Sequence, residues 1–156
     1  VIDILDVTGS IRQYNLTTGA FLGTLASNIA GSPTGIALRR IARNVTAQVQ
    51  ITRSAYRFNA STQTYVQRVT IKNLTGTAIV GPISLALDNL GSNATLIATN
   101  GTTSLVGLSG SPYINFVLSG TSLGPGATAT VSLNFVDPSN TLIAYVPRIL
   151  AGVGSR

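Results

Sequence analysis

Asp3, Asp6, Asp88 and Asp137 are the only acids in this chain of 156 residues, which has no Glu, no His and no Cys. Lys72 is the one amine, and the rest of the positive charge is arginine, which stays protonated. Nucleophilic catalysis needs an imidazole or amine that can act as a base, and that chemistry has no candidate here beyond Lys72. Glycoside hydrolysis needs two carboxylates held together with their pKa values pushed apart, whereas these four are dispersed along the chain. Without Cys there is no disulfide framework, thiolate zinc site or thiol chemistry. Asp3 with Asp6, and Asp137 with Asn140, each offer part of the oxygen set that calcium requires, but turn chemistry explains both pairs more simply. Lys72 is also the single donor available for an isopeptide cross-link, and its position beside Asn73 on an alternating strand reads as an ordinary solvated lysine. We therefore expect no catalytic residue, no cofactor and no metal.

Binding chemistry is better represented. Asn-X-Ser/Thr triplets occur at Asn15, Asn44, Asn59, Asn73, Asn93 and Asn100. Where such a triplet is glycosylated, its asparagine must lie on exposed surface, and several of these fall in expected loops. Tyr14, Tyr56, Tyr65 and Tyr113 are candidates for a sugar-stacking platform, although tyrosine fits half-buried strands equally well. Arg39, Arg40 and Arg43 form a basic cluster in a chain of net charge +6. Little aromatic interleaving and no nucleic-acid-binding motif accompany it, so it reads as a solvated junction between two modules.

The elements that must position these residues are strands. From Ala127 to Val136, apolar Ala127, Ala129, Val131, Leu133 and Phe135 alternate with Thr128, Thr130, Ser132 and Asn134. Strict period-two alternation marks a strand with one buried and one wet face. Leu123-Gly124-Pro125-Gly126 turns the chain ahead of it, and Asp137-Pro138-Ser139-Asn140 turns it again behind. Residues 45–52 alternate in the same way. Tyr56-Arg57-Phe58 and Tyr65–Lys72 flank a hairpin loop over 59–63. Ile83, Leu85 and Leu87 alternate with Ser84, Ala86 and Asp88. Weaker strands are expected over 95–98 and 113–118, and 143–149 closes the chain with Pro147 suggesting an edge. The fold class is all-β: an antiparallel sandwich in residues 45–156, its body over 45–152.

Residues 1–44 form a β-rich N-terminal extension. Val1–Val7 is short and apolar, residues 11–14 and 20–25 flank a hairpin loop over 15–19, and Ser32–Gly35 turns into Ile36-Ala37-Leu38. Charged residues make up only 9% of the chain against about 25% in an ordinary domain, which fits a surface partly hidden by other chains. No apolar run is long enough for a transmembrane helix. The chain opens without an initiator Met or a secretory leader, as a processed chain or a fragment would.

The run from Tyr56 to Gly152 resembles a bacterial immunoglobulin-like domain of secreted and surface proteins. The matching pieces are Arg57-Phe58-Asn59 with Tyr65–Thr70, Asn73–Gly76, Ile79–Asn89 (IVGPISLALDN) and Gly110–Tyr113. Leu123–Ala127, Phe135–Asn140 and Pro147–Gly152 complete them. The antibody-type Cys–Trp–Cys core is missing, and the resemblance carries no catalytic residue. RQYNLTTGAFLGTL and SPTGIAL resemble one repeat of an NHL-type propeller, and a single repeat cannot close a propeller.

The resemblance implies a non-catalytic structural or adhesive module at a bacterial cell surface or outside the cell. Its sharper form is a filament subunit joined to copies of itself by strand addition, with Val1, Ile2, Ile4, Leu5 and Val7 on the donated strand. The alternative is a carbohydrate-binding or spacer module at the C-terminus of a larger secreted protein. Neither reading calls for a nucleic-acid partner.

Overall fold

The computed structural model describes residues 2–5, 9–15, 17–27, 36–37, 40–117 and 120–156. The chain is all-β with antiparallel sheets. It divides into two compact units, Val1–Ile41 with Ser155, and Ala42–Gly154 with Arg156. The division falls slightly earlier than residue 44, because Ala42 is buried with Ala86 and Leu150 of the second unit.

The first unit is a four-stranded sheet of β1 (Ile2–Leu5), β2 (Ile11–Tyr14), β3 (Phe21–Ala26) and β4 (Ile36–Ala37), in the order β3-β2-β1-β4. Three strands joined in succession with the fourth returning beside the first is the Greek-key order. The β2–β3 hairpin turns on Asn15, whose Oδ1 accepts from the amides of Thr17 (2.8 Å) and Thr18 (3.1 Å). Gly19 supplies the positive φ of +69° that closes the loop.

This order corrects the expectation of a free terminal strand. β1 lies inside the sheet, paired with β2 from Ile2↔Tyr14 to Leu5↔Ile11 and with β4 at Asp3↔Ala37 and Ile4↔Ile36. Backbone groups already bonded on both sides are not available to a neighbour. Val1, Asp6 and Val7 lie outside the described residues.

The second unit contains β5 (Arg43–Asn44), β6 (Val49–Arg53), β7 (Arg57–Asn59), β8 (Thr64–Asn73), β9 (Ile79–Val80) and β10 (Ile83–Asp88). It continues with β11 (Thr95–Leu96), β12 (Gly101–Thr102), β13 (Pro112–Val117), β14 (Ser122–Leu123), β15 (Thr128–Val136) and β16 (Val146–Ala151). One sheet runs β12-β13-β10-β16-β5. A second runs β11-β15-β8-β6, with β7 also on β8, and β9 and β14 form a short ribbon. Val69 and Ile71 of β8 and Leu133 and Phe135 of β15 meet Ile83, Leu85 and Leu87 of β10 and Ile149 of β16 in one fully buried cluster. Each such side chain stabilises the fold by roughly 1.5–3 kcal/mol relative to exposure.

Three local expectations change. Residues 46–48 form a 3-10 turn, so the strand expected from Val45 begins only at Val49. Thr46 Oγ1 donates to Asn44 Oδ1 (2.7 Å) and accepts from the Ile149 amide (2.9 Å), which draws the chain out of the extended form. Pro147 sits on a strand inside the sheet, yet β5 reaches only Leu150 and Ala151, leaving Pro147 on a locally unpaired side. Finally, Ser84, Ala86 and Asp88 are as buried as Ile83, Leu85 and Leu87, so β10 has no wet face.

The cover on that face comes from residues 103–111, and an ion pair holds it. Arg148 Nε and Nη2 donate to Asp88 Oδ2 and Oδ1, each at 2.7 Å, and both side chains are buried. Arg148 also donates through Nη1 to the Val106 carbonyl and through Nη2 to that of Leu108 (3.1 Å). Ser111 Oγ donates to Asp88 Oδ1 at 2.6 Å. Gly107 permits this closure, since a Cβ there would lie 2.5 Å from Arg148 Nη1. A second polar chain crosses the sheet where Arg156 Nε donates to Ser84 Oγ (2.7 Å) and Ser84 donates to Asn115 Oδ1 (2.5 Å).

Hydrogen bonding from Arg148 holds the Asp88 carboxyl below the usual carboxylate range, and bonding from Ser139 does the same for Asp137. A carboxyl depressed in the folded state binds protons more readily once unfolded. Its stabilisation is therefore present above about pH 3.9, the ordinary value, and is lost as pH falls towards the folded value. Urea unfolding followed across pH 2–7 should show a plateau above about pH 5 and a decline below it. Asp88→Ala should cost roughly 3–5 kcal/mol by stranding a buried guanidinium, whereas Asp88→Ala with Arg148→Met should recover much of that and flatten the acid limb.

Candidate assembly surface

The two units differ in how they are completed. Among the first-unit residues whose side chains are described (9–15, 17–27, 40 and 41), no apolar side chain is buried. β3 exposes Phe21 (55%), Leu22 (52%) and Leu25 (61%), with the Phe21 ring tilted against Tyr14 at a ring separation of 5.5 Å. A domain ordinarily closes by packing two layers of structure, whereas the side chains described on β2 and β3 are exposed or half-buried. β3 is also an edge strand of six residues with neither charge nor proline, FLGTLA. Natural edges are usually protected by charge, proline, bulges or a cover. Among the described residues, two register shifts in the β2–β3 pairing are the one such device.

In the second unit the side of β15 facing away from β8 is paired only at its end. β11 meets Phe135 and Val136, and Ile97 N donates to Asn134 O (2.8 Å). Thr128–Leu133 thus present an open backbone edge on that side among the described residues. Ala129 and Val131 beside it are half-buried against the core.

The expected site residues do not gather at one place. Asp88 is held by Arg148. Asp137 closes a turn, accepting from Ser139 N (3.1 Å) and Oγ (2.6 Å) through Oδ1 and from Thr141 N (3.0 Å) through Oδ2. Asn140 instead accepts from Tyr65 Oη (2.7 Å). Lys72 is exposed on β8 as expected. Arg40 and Arg43 are exposed, and Arg39 lies outside the described residues.

Tyr56, Tyr65 and Tyr113 of the second unit have separate partners and make no common platform. Tyr14 belongs to the first unit. Tyr56 donates to the Ile143 carbonyl (3.0 Å) and meets Phe135 edge-on. Tyr113 lies under the Arg156 guanidinium, and burial lowers the pKa of that arginine. Tyr65 neighbours a strongly exposed aromatic, Phe58, at 5.1 Å, as Tyr14 neighbours Phe21. Phe58 is a surface feature that the sequence reading passed over, because its strand partner hides no signal in spacing. Tyr145 was also passed over as a core residue. It stacks on Phe135, donates to Gln67 Oε1 (2.5 Å), and burial pushes its pKa up to about 12.

Three of the six triplet asparagines share one local geometry. At Asn44, Asn59 and Asn73, Oδ1 accepts from both the amide and the hydroxyl of the Ser or Thr two residues on. Asn73 is 1% exposed, and its Nδ2 donates to the carbonyls of Thr77, Leu123 and Gly124. This corrects Asn73 as a glycan acceptor on the folded chain. Nδ2 of Asn93 is likewise engaged, with Asp137 Oδ2, Thr141 Oγ1 and the Leu142 carbonyl. Asn44, Asn59 and Asn100 are exposed, and Asn15 is half-buried. None of these four uses Nδ2 in a hydrogen bond within the described residues.

No protein-family model, curated protein or solved structure matches the chain.

If the chain is passed through a host that glycosylates such triplets, peptide mass spectrometry should find glycan at Asn44, Asn59 or Asn100 and none at Asn73. Asn73→Ala should in turn destabilise the fold by about 2–3 kcal/mol in urea melts, because it orphans buried carbonyls and the Thr75 amide.

Proposed function

We propose that this chain is a non-catalytic structural module that associates with copies of itself through strand addition, and that β3 is the linking edge. The exposed, uncharged β3, at the edge of its sheet and paired only with β2 among the described residues, carries the reading. A second chain laid against it would satisfy its free backbone groups and cover Phe21, Leu22 and Leu25 in one step. This moves the linking role from Val1–Val7 to Phe21–Ala26 and keeps the mechanism. Two copies pairing β3 to β3 would close as a dimer, whereas a filament needs a second, different edge. Thr128–Leu133 of β15 is long enough to be that edge. Placement at a bacterial surface or outside the cell rests on the immunoglobulin-like resemblance alone, and adhesion would be the corresponding role in a polymer.

Sedimentation velocity of the purified chain, with negative-stain microscopy, tests the reading. Self-association is expected at micromolar concentration, with Leu22→Lys plus Leu25→Lys returning it to monomer while the urea midpoint of the sandwich stays unchanged. A monomer at all concentrations, or association that survives the double substitution, would overturn it. A closed dimer against a growing filament separates β3–β3 pairing from β3–β15 pairing.

A further inference from the structure

The outward face of the β6–β8–β15 sheet has a charge pattern that self-association does not use. Alternation along β8 sends Gln67, Val69 and Ile71 inward and Val66, Arg68, Thr70 and Lys72 outward. Register then places Arg57 beside Val66, Ser132 beside Arg68, and Thr130 beside Thr70 on the same face. Arg57 and Arg68 are diagonal neighbours about 7–8 Å apart, and Lys72 follows Arg68 about 13–14 Å further along the strand. Three cations therefore run in line along one sheet face.

Nothing within the described residues neutralises them. Arg57, Arg68 and Lys72 are exposed, and their side chains make no hydrogen bond or ion pair there. The second unit's two carboxylates, Asp88 and Asp137, are both buried and committed to internal partners. The hydroxyls between the cations are ordered: Thr70 and Thr130 share a hydrogen bond at 2.8 Å, and the Arg68 amide donates to Ser54 Oγ at 3.0 Å. Arg57, Arg68, Ser54, Ser132 and Val66 also line a surface pocket of about 270 Å³.

We propose that this face binds an acidic polysaccharide. Arg57, Arg68 and Lys72 take successive anionic groups, and the interleaved Ser and Thr hydroxyls take ring hydroxyls. The guanidinium fork suits a carboxylate or a sulfate equally, so the shared chemistry is a planar or tetrahedral oxyanion on a sugar ring. The pocket is small for a drug-sized ligand, and a linear polymer spanning three cations gains by repeated contact. A single-stranded nucleic acid is the less favoured polyanion, because the face offers no aromatic ring for bases to stack on.

Binding of the full chain to immobilised polygalacturonate, heparin, neutral dextran and oligo-deoxythymidine, in 50 and 200 mM salt, tests the proposal. Polygalacturonate or heparin should be retained, which of the two identifying carboxylate or sulfate as the preferred group, and dextran should not. Arg57→Gln, Arg68→Gln and Lys72→Gln combined should weaken that binding by at least about tenfold with an unchanged melting curve. Arg43→Gln, which removes an exposed cation from the other sheet, should leave it intact. Retention of neither acidic polymer, equal retention of dextran, tighter binding of the oligonucleotide, or equal losses from the triple variant and Arg43→Gln would each overturn it. If the triple variant melts early, Lys72→Gln alone must still weaken binding for the proposal to stand.

Discussion

The ion pair between Asp88 and Arg148 is the interaction on which the larger unit depends. It joins neighbouring strands of one sheet on the face that a two-layer sandwich ordinarily leaves to water. Arg148 spends its remaining donors on the Val106 and Leu108 carbonyls, so the same guanidinium that neutralises Asp88 ties down the segment covering it. A buried ion pair is weak support by itself, since desolvation offsets much of its attraction. Here every polar atom of the knot is used, and Ser111 completes the carboxylate's shell. What the pair adds is definition: it fixes where residues 103–111 lie and turns the sheet into a layer with two dry faces. Ala42, Ala86 and Leu150 form the small apolar cluster under that cover, with Val106 and Tyr113 against it.

A second recurring constraint is the short polar turn. Asn15, Asn44, Asn59, Asn73 and Asp137 each bend the chain by accepting from an amide two residues ahead, and at four of them the hydroxyl of that residue bonds as well. A chain with many tight strand connections and few charges needs many such bends, and Asn-X-Ser/Thr is the composition that makes them. At Asn15, Asn44, Asn59 and Asn73 the triplet makes a turn of this kind. Asn73 shows the point most clearly, because the same side chain that makes the turn also pins the 123–124 corner from inside the fold.

How much of this was legible in the sequence depended on whether a residue's role was local. The alternation over 127–136 placed β15 within a residue of its true start, and the hairpin across 59–63 was readable from its polar loop between β-prone runs. Period-two logic misjudged Ser84, Ala86 and Asp88 because it assumes that polar positions on a strand face water. Their partners are distant in the chain: Arg148 lies sixty residues from Asp88, Arg156 bonds Ser84, and Ala86 packs with Ala42 and Leu150, none of which a local pattern announces. Thr46 likewise leaves the strand because of Ile149. Val1–Val7 looked free because it is apolar and terminal. The pairing of Asp3 and Ile4 with β4 depends on a chain return that spacing does not encode. The cations of β8 were visible as residues, but their alignment on one face without a carboxylate emerges only from register with β7 and β15.

The two units have solved the problem of the second layer differently. In the sandwich, each sheet buries its inner face on the other, and one sheet recruits a loop for its outer face as well. In the N-terminal sheet, the side chains described on β2 and β3 are exposed or half-buried, although β3 is mostly apolar. Conformational entropy opposes ordering a single exposed sheet, and backbone hydrogen bonds alone contribute little against that cost. A sheet of this kind persists when something else covers it, and its one long edge is the strand with the largest exposed apolar side chains. Position in the sheet and side-chain exposure thus favour the same strand, β3, as the place where another chain completes the structure.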